Sequence, residues 1–298
     1  MGATISAAFD LSRQGYTPAR MSRLPVTIVV PVRNEERNLP GCLRRLDRFE
    51  EVVVADSGST DRTPEIAREH GVGLIDFRWN GKFPKKRNWV LRNYEFKTPW
   101  VMFLDADEFV DDSFCDQLER ILPTTECAGF WLTYRNWFMG RQMLHGTPFR
   151  KLALMRVGAG EYERIDEDSW SRLDIEVHEH PILDGEAGEI DAAIDHRDYK
   201  SLEHYIARHN EYSSWEARRF MEISRDADLG DLPLTDRQRA KYRALDKWWC
   251  APAYFLDSYV RRLGILDGRV GFHFALMKAV YFWQIRLKIL EHRREAQA

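Results

Sequence analysis

Short, mostly apolar runs without regular alternation of polar residues recur through the first hundred positions of the chain. They cover Pro25 to Val32, a run ending at Asp56, Gly73 to Phe77, and Trp100 to Leu104. A strand with one face in water would alternate apolar and polar residues. The first two runs therefore predict strands buried on both faces, as in a parallel sheet, and the other two predict further strands.

The stretches between these runs carry helix signals. The first, predicted over residues 35–48, places four apolar side chains on one helical face: Leu39, Cys42, Leu43 and Leu46. The second begins at Thr63, which precedes a proline, and ends at His70 and Gly71. The third is predicted over residues 84–94. Strands alternating with helices in this way predict a doubly wound α/β sheet.

The second half of the chain has a different pattern. Residues 129–156 are aromatic and strand-like, with a turn near Gly140. From Leu202 the pattern is helical to the end, with breaks near Leu229–Gly230 and at Gly264–Gly268. A chain of 298 residues is long enough for one large domain with an extension.

Composition and charge exclude several classes of protein. Lys plus Arg is 44 and Asp plus Glu is 47, so the net charge is 44 − 47 = −3, and no nucleic-acid partner is expected. The four cysteines lack metal or redox spacing, which suits a reduced, cytoplasmic compartment. We expect no signal peptide and no spanning helix, because no apolar run reaches about 18 residues.

Polar residues follow the predicted strands at their carboxyl ends, where ligands bind in open α/β sheets. Asp105 and Asp107 come directly after the fourth strand, two positions apart, so an extended chain points both carboxylates to one side. Two carboxylates held close together repel each other, and a cation between them relieves this repulsion. A hard divalent ion suits the position because it prefers oxygen ligands. An isolated D-x-D usually only solvates a turn, but this one follows a buried strand. Asp56 either closes an Asx-turn or accepts hydrogen bonds from a ribose or a base.

Four motifs in this order resemble family-2 glycosyltransferases of the GT-A fold: PVRNEERNLPGCL, VVVADSGSTDRT, KKRNWVL and WVMFLDADE. The resemblance is strong over residues 25–112 and continues more loosely to His196. VHEHP and GILDGRVGF are similar to segments of the branch that glucosylates lipopolysaccharide core and exopolysaccharide. The resemblance implies a Rossmann-like mixed sheet. It also implies an N-terminal extension at 1–23, a catalytic domain at 24–200 and an amphipathic helical region at 201–298.

The resemblance gives donor-binding roles to six positions: Pro31, Arg33, Glu35, Asp56, Arg87 and Asp105. The first three border a uridine pocket, Asp56 reads the uracil, Asp105 lies near the ribose, and Arg87 contacts the diphosphate. Lys85 and Lys86 depart from the family pattern. They either add phosphate contacts or form a solvated helix face.

The resemblance also implies a divalent metal, Mg²⁺ or Mn²⁺, bound by Asp107. Its shell would be completed by His178, with His196 as the rival ligand. An inverting transfer needs a base for the acceptor hydroxyl, and we expect Glu179 in VHEHP to supply it. Glu179 could instead simply pair with a histidine. Two other carboxylates are held in reserve as bases: Asp174 and Glu176.

Two groups of aromatic residues have open interpretations. The middle of the chain offers either a sugar-stacking wall or core packing, from Trp131, Tyr134, Trp137 and Phe138. Residues 248–294 combine aromatic and basic residues. Within them, Val270 to Ile285 contains only three strongly polar residues: His273, Lys278 and Gln284. This region suits either the headgroup layer of a membrane or packing on the catalytic domain or another subunit.

These features together predict a metal-dependent, inverting hexosyltransferase. It would move a hexose, with glucose favoured, from a UDP-sugar to a lipid-linked saccharide of the cell envelope, at the cytoplasmic face of the inner membrane. One alternative is a sugar-phosphate nucleotidyltransferase, which should carry a glycine-rich loop that PVRNEE lacks. The other is a non-catalytic sugar- or lipid-binding scaffold, which the intact Arg87, Asp105 and Asp107 disfavour.

Overall fold

The computed structural model describes residues 23–171, 173–176, 179–197, 201–226, 234 and 236–297. The strands are β1 (Leu24–Val32), β2 (Phe49–Asp56), β3 (Gly73–Asp76), β4 (Trp100–Phe103), β5 (Glu108–Phe109), β6 (Gly129–Phe138), β7 (Arg141–Gln142), β8 (Phe149–Arg156), β9 (Gly160–Tyr162), β10 (Pro181–Leu183) and β11 (Ala187–His196). The α-helices are α1 (Leu39–Leu43), α2 (Thr63–Glu69), α3 (Lys86–Asn93), α4 (Asp112–Ile121), α5 (Leu202–Asp226), α6 (Asp236–Ala244), α7 (Cys250–Leu256) and α8 (Gly268–Glu295).

Within the described residues, nine strands form one mixed sheet. Its order is β3-β2-β1-β4-β8-β6-β11-β5, and β7 pairs with β6 at the side. The first four strands in this order are parallel, with Val29 of β1 in register with Val53 and Phe103. β8 runs antiparallel to both β4 and β6. The α/β sheet predicted from the apolar runs and the mixed, Rossmann-like sheet implied by the family resemblance are therefore confirmed.

The strand β1 is buried on both faces, as its unbroken apolar run predicts. Ile28 and Val30 belong to a core shared with α1 and α4. Val29, on the opposite face, belongs to a second core that includes Val90 of α3. Because helices cover both sides, the functional groups after β1 and β4 lie at the exposed carboxyl edge of the sheet.

The helix predicted over residues 35–48 is wrong in length, since α1 spans only Leu39–Leu43. After α1 the chain turns with three-residue hydrogen bonds, such as Leu46 N to Leu43 O at 3.1 Å. These tighter turns keep Leu46 buried on the expected face and deliver Phe49 directly into β2. The apolar spacing therefore identified the buried face but not the type of turn.

The C-terminal region is helical, as predicted. α5 packs against α8 through a small apolar core that includes Phe220, Ile285 and Ile289. The predicted break at Gly264–Gly268 is confirmed as a 3₁₀ turn, and the predicted break near Leu229–Gly230 lies outside the described residues. A Cβ on Gly271 would lie 2.1 Å from Gly264 O, so this close return of the chain requires glycine. No helix in the described part of the chain is long and apolar enough to span a bilayer.

Candidate active site

A cavity of about 550 Å³ opens at the carboxyl ends of β1 and β4. It is bounded by the first turn of α3, by β8, and by side chains of α5 and α8. Seven of the nine predicted site residues line it: Pro31, Arg33, Glu35, Arg87, Asp105, Asp107 and Glu179. The order of the parallel strands brings these residues together although they are spread over 148 positions of sequence, from 31 to 179.

The other two predicted residues do not line this cavity in the described structure. Asp56 ends β2 beside it, buried, and its carboxylate accepts hydrogen bonds from Ser59 N at 3.1 Å and Ser59 Oγ at 2.5 Å. These hydrogen bonds close the loop after β2, as the Asx-turn interpretation of Asp56 predicts. The carboxylate oxygens can still accept further hydrogen bonds. His178, the predicted second metal ligand, lies outside the described residues.

Asp105 forms the centre of a buried charge network. Arg87 Nη2 donates to one carboxylate oxygen at 2.9 Å, and Lys151 Nζ donates to the other at 2.7 Å. Burial opposes ionisation, but Lys151 and Arg87 outweigh it and hold the pKa of Asp105 well below its ordinary value. Asp105 is therefore ionised and fixed in position, and it orients Arg87 at the cavity wall.

Glu108 follows the acidic pair in sequence but lies before the next helix. It lies in β5, is fully buried, and accepts a short hydrogen bond from Lys151. Burial raises the pKa of Glu108 to about 8, and the nearby Asp105 and Asp107 add to the rise against Lys151. The helix itself begins four residues later, where Asp111 caps α4 by accepting from Phe114 N at 3.0 Å.

Asp107 lies opposite His196, with 3.8 Å between the carboxylate Oδ1 and the imidazole Nε2. Burial, and then the neighbouring Asp105, raise the pKa of Asp107. Burial, and then Lys151, lower the pKa of His196 to about 3, so its imidazole is neutral and can act as a ligand.

The pair of Asp107 and His196 fits a divalent cation, because one anionic oxygen and one neutral nitrogen face the same side of the cavity. Among the described residues, no group of three or more potential ligands forms a complete metal site. The remaining coordination positions would therefore fall to substrate oxygens and water, as is usual for Mg²⁺. Of the two histidines that the sequence offers as second ligand, His196 is the one within the described residues, and it faces Asp107.

The solvated-face interpretation of Lys85 and Lys86 is wrong, because both side chains are buried. Lys86 Nζ lies 3.6 Å from Asp174 and donates to Val32 O at 3.1 Å, and it lines the cavity. Lys85 points the other way, toward Glu179 and Glu167. Only Lys86 is placed to approach a ligand.

Glu179 shares the ammonium group of Lys85 with Glu167. Lys85 Nζ is 2.8 Å from Glu179 Oε1 and makes a second, shorter contact with Glu167. Glu167 is also bound by Trp215 Nε1 of α5, at 2.5 Å. Burial, reinforced by Glu167 and opposed by Lys85, raises the pKa of Glu179 to about 7. A carboxylate with a raised pKa at a cavity wall suits the work of a general base.

Glu176, one of the reserve bases, has a structural role instead. Its two carboxylate oxygens accept hydrogen bonds from the backbone of α3, from Arg87 N at 2.8 Å and Asn88 N at 3.0 Å. These donors belong to the first turn of a helix, which has no partners for them within the helix itself. Asp174 remains available as a reserve base, since it lines the cavity beside Lys86.

The four aromatic residues of the middle segment are divided by the structure. Tyr134 and Phe138 are buried in the core, whereas Trp131 lines the cavity. The Trp137 ring lies 4.6 Å from the Arg197 guanidinium carbon. Of these residues, Trp131 is therefore the one placed to stack on a sugar.

Sequence reasoning missed the contributions of β8 and of the C-terminal helices to the cavity. Lys151 of β8 has no motif around it. The helices contribute five side chains: Arg208, His209 and Tyr212 of α5, and Lys278 and Tyr281 of α8. One available signal was Lys278, a rare charge within the apolar stretch 270–285.

The sheet order, with an acidic pair at its carboxyl edge, is that of a GT-A fold. The fold resembles that of a solved mannosyltransferase from Pyrobaculum calidifontis in complex with GDP-Man and Mn²⁺. The TM-score is 0.51 with 16% identity, covering 91% of this chain and 88% of that one.

Residues 27–162 match the sequence model of glycosyl transferase family 2. The chain is 26% identical to the lipopolysaccharide core biosynthesis glycosyltransferase LpsC of Rhizobium meliloti, over 90% of this chain and 93% of that protein. A shorter match, 33% identical over 34% of this chain, is to a 4,4'-diaponeurosporenoate glycosyltransferase of Staphylococcus haemolyticus, of which it covers 27%. Residues 27–162 therefore match a glycosyltransferase domain, and the similarity to LpsC extends this likeness over most of the chain.

Proposed function

We propose that this protein transfers a hexose, with glucose favoured, from a UDP-sugar to a lipid-linked saccharide of the cell envelope, with inversion at the anomeric carbon. The observation that carries the proposal is the cavity at the strand ends, where Asp107 and His196 face Arg87 and Asp105. The family match favours sugar transfer over a nucleotidyltransferase or a scaffold.

The donor would lie along the carboxyl ends of β1, β2 and β4. Pro31, Arg33 and Glu35 border its uridine, and Asp56 at the end of β2 offers acceptor oxygens to the base. Arg87, held by Asp105 at 2.9 Å, presents its guanidinium toward the phosphate oxygens, which a planar fork binds well. The nucleotide is thereby held by one rigid edge of the sheet.

The residues that would hold the divalent metal are Asp107 and His196, with His178 as a further candidate. When bound, Mg²⁺ or Mn²⁺ would neutralise charge that develops on the departing diphosphate. Glu179 takes the proton from the acceptor hydroxyl. The acceptor oxygen then bonds to the anomeric carbon while the bond from that carbon to the diphosphate oxygen breaks.

Binding of UDP tests the donor class. We expect calorimetric titration to give metal-dependent binding of UDP in Mn²⁺, with weaker binding when the metal is removed, because the pair of Asp107 and His196 needs a cation to accept a diphosphate. GDP and ADP serve as matched nucleotides. Preference for GDP or ADP would refute the uridine assignment, and failure of all three would favour the scaffold alternative.

The envelope acceptor is supported by the similarity to LpsC over 90% of the chain. Contact with the membrane is supported by large apolar side chains exposed within 248–294: Trp248, Trp249, Leu256, Val260, Leu263, Ile265, Leu266, Phe272, Leu276, Val280, Trp283 and Leu287. Basic side chains accompany them, including Arg261 and Arg262. Aromatic, aliphatic and basic residues together suit the headgroup layer of an anionic leaflet.

Sedimentation with vesicles of phosphatidylglycerol and phosphatidylethanolamine tests this contact. The variant Val260→Glu/Leu266→Glu is expected to bind at least about 10-fold more weakly, since each side chain loses an apolar burial worth about 1.5–3 kcal/mol. Ile182→Glu on β10 is the control, because Ile182 is 54% exposed, as Val260 is 55%, but lies in the catalytic domain. Equal binding of the wild type and the double variant would contradict membrane contact through this face.

A further inference from the structure

The helix α8 brings a lysine into the wall of the cavity. Lys278 is half-buried and lines the cavity, although its neighbours on α8 are mainly apolar. Its Nζ lies 3.1 Å from His209 Nε2 of α5 and about 6 Å from the rings of Tyr205 and Phe274. In the part of the chain that the structure describes, no carboxylate lies within ion-pairing distance of this ammonium group.

His209 fixes the direction of this hydrogen bond. Its Nδ1 lies 2.9 Å from the carbonyl oxygen of Tyr205, which can only accept, so Nδ1 carries the proton. Nε2 is therefore the acceptor, and Lys278 donates one of its three N–H groups to it. The two remaining donors are left for the cavity.

A second cation lines the same wall. Arg208 of α5 borders the cavity, with its guanidinium carbon 5.8 Å from the Tyr212 ring. Burial, and then the charge of Arg208, lower the pKa of Lys278 to about 8, so the amine is still mostly protonated at pH 7. Both charges help to lower the pKa of His196, which lines the same cavity.

We propose that Lys278, with Arg208 beside it, binds a phosphoryl group of the substrate. The inference rests on the proposed function, because a phosphate enters this cavity only with a nucleotide-sugar or a phosphorylated acceptor. An ammonium group in a partly desolvated wall is unfavourable unless an anion joins it, and no carboxylate of the described residues lies within ion-pairing distance of Lys278. A phosphoryl group offers negative charge and several acceptor oxygens to the two remaining donors of Lys278.

The phosphoryl group has two possible sources with the same chemistry. One is the diphosphate of the donor, which would lie near Asp107. The other is a phosphate carried by the saccharide acceptor. In both cases the C-terminal helices complete the substrate site rather than serving only to anchor the protein.

Calorimetry with three probes in Mg²⁺ tests the proposal: UDP, pyrophosphate, and orthophosphate added to UDP-saturated protein. We expect Lys278→Met to weaken either the binding of UDP and pyrophosphate or the binding of orthophosphate. The expected loss of affinity is about 10- to 100-fold, as for loss of a charge-assisted contact. Lys278→Arg, which keeps the charge, should retain binding within about 5-fold. The control is Lys288→Met on the same helix, because Lys288 ties α8 to Asn210, Ser213 and Ser214 and does not line the cavity.

Each outcome decides the question. Weaker binding of UDP and pyrophosphate by Lys278→Met assigns the site to the donor diphosphate. Loss of orthophosphate binding alone assigns it to an acceptor phosphate. Binding of all three probes at wild-type strength by Lys278→Met overturns the proposal, as does an equal loss in Lys288→Met, which would indicate helix docking. If the wild type bound pyrophosphate through Lys278 but did not bind UDP, the anion site would stand and the proposed nucleotide would be wrong.

Discussion

Replacing Asp107 with asparagine is expected to slow sugar transfer by about 10²- to 10⁴-fold, equivalent to several kcal/mol of lost transition-state stabilisation. The amide keeps the shape of the side chain but removes the anionic oxygen that faces His196 at 3.8 Å. The measurements are release of UDP during turnover and the enhancement of UDP binding by Mn²⁺, and both should fall together.

Two further variants separate this effect from a loss of folding. Asp191→Asn changes an exposed carboxylate on β11, the strand that carries His196, and should leave transfer unchanged. Asp105→Asn removes the ionised partner of Arg87 and Lys151, so it should lower the free energy of unfolding as well as activity. Asp107→Asn breaks no such pair and should unfold like the wild type. Full activity in Asp107→Asn would show that the metal is bound elsewhere.

The sheet and its acidic edge could be predicted from the sequence because their signals are local. The run from Pro25 to Val32 contains its own evidence of two-sided burial, and the structure places cores on both of its faces. Asp105 and Asp107 follow a strand directly, so their position at the carboxyl edge needs only the direction of that strand. Asp105 and Asp107 could be found in this way, whereas Arg87 and Glu179 were given by the family resemblance.

The pairing of the buried charges could not be predicted, because the partners are distant in sequence. Lys85 is separated from Glu179 by 94 positions, and Lys151 from Glu108 by 43. A run such as KKRN, taken by itself, predicts a basic helix face exposed to solvent. Only the folded chain brings carboxylates to Lys85 and Lys86, which turns an apparently exposed basic patch into the buried support of the cavity.

The wall formed by α5 and α8 depends on how two helices dock on the catalytic domain. Sequence patterns give the apolar face of a helix but not which of its residues reach a cavity formed by other elements. The contact between Trp215 and Glu167 links α5 to the residues that hold Glu179. The helical region therefore supports the candidate base as well as contributing Lys278.

Glu179→Gln is expected to lower kcat by about 10²- to 10⁴-fold, the usual contribution of a general base, while the dissociation constant for UDP stays within about 3-fold of the wild-type value. Glutamine can still accept from Lys85 at the 2.8 Å contact, so the surrounding structure is kept, but it cannot take the acceptor proton. Glu167→Gln is the comparison variant, because Glu167 contacts the same lysine without lining the main cavity, and it should lower kcat by less than Glu179→Gln does. Steady-state kinetics with the donor varied will separate kcat from KM.

If Glu179→Gln kept its kcat, the base would have to be another carboxylate at the cavity. Asp174 would then be the next to replace, since Glu176 uses both of its oxygens to cap α3.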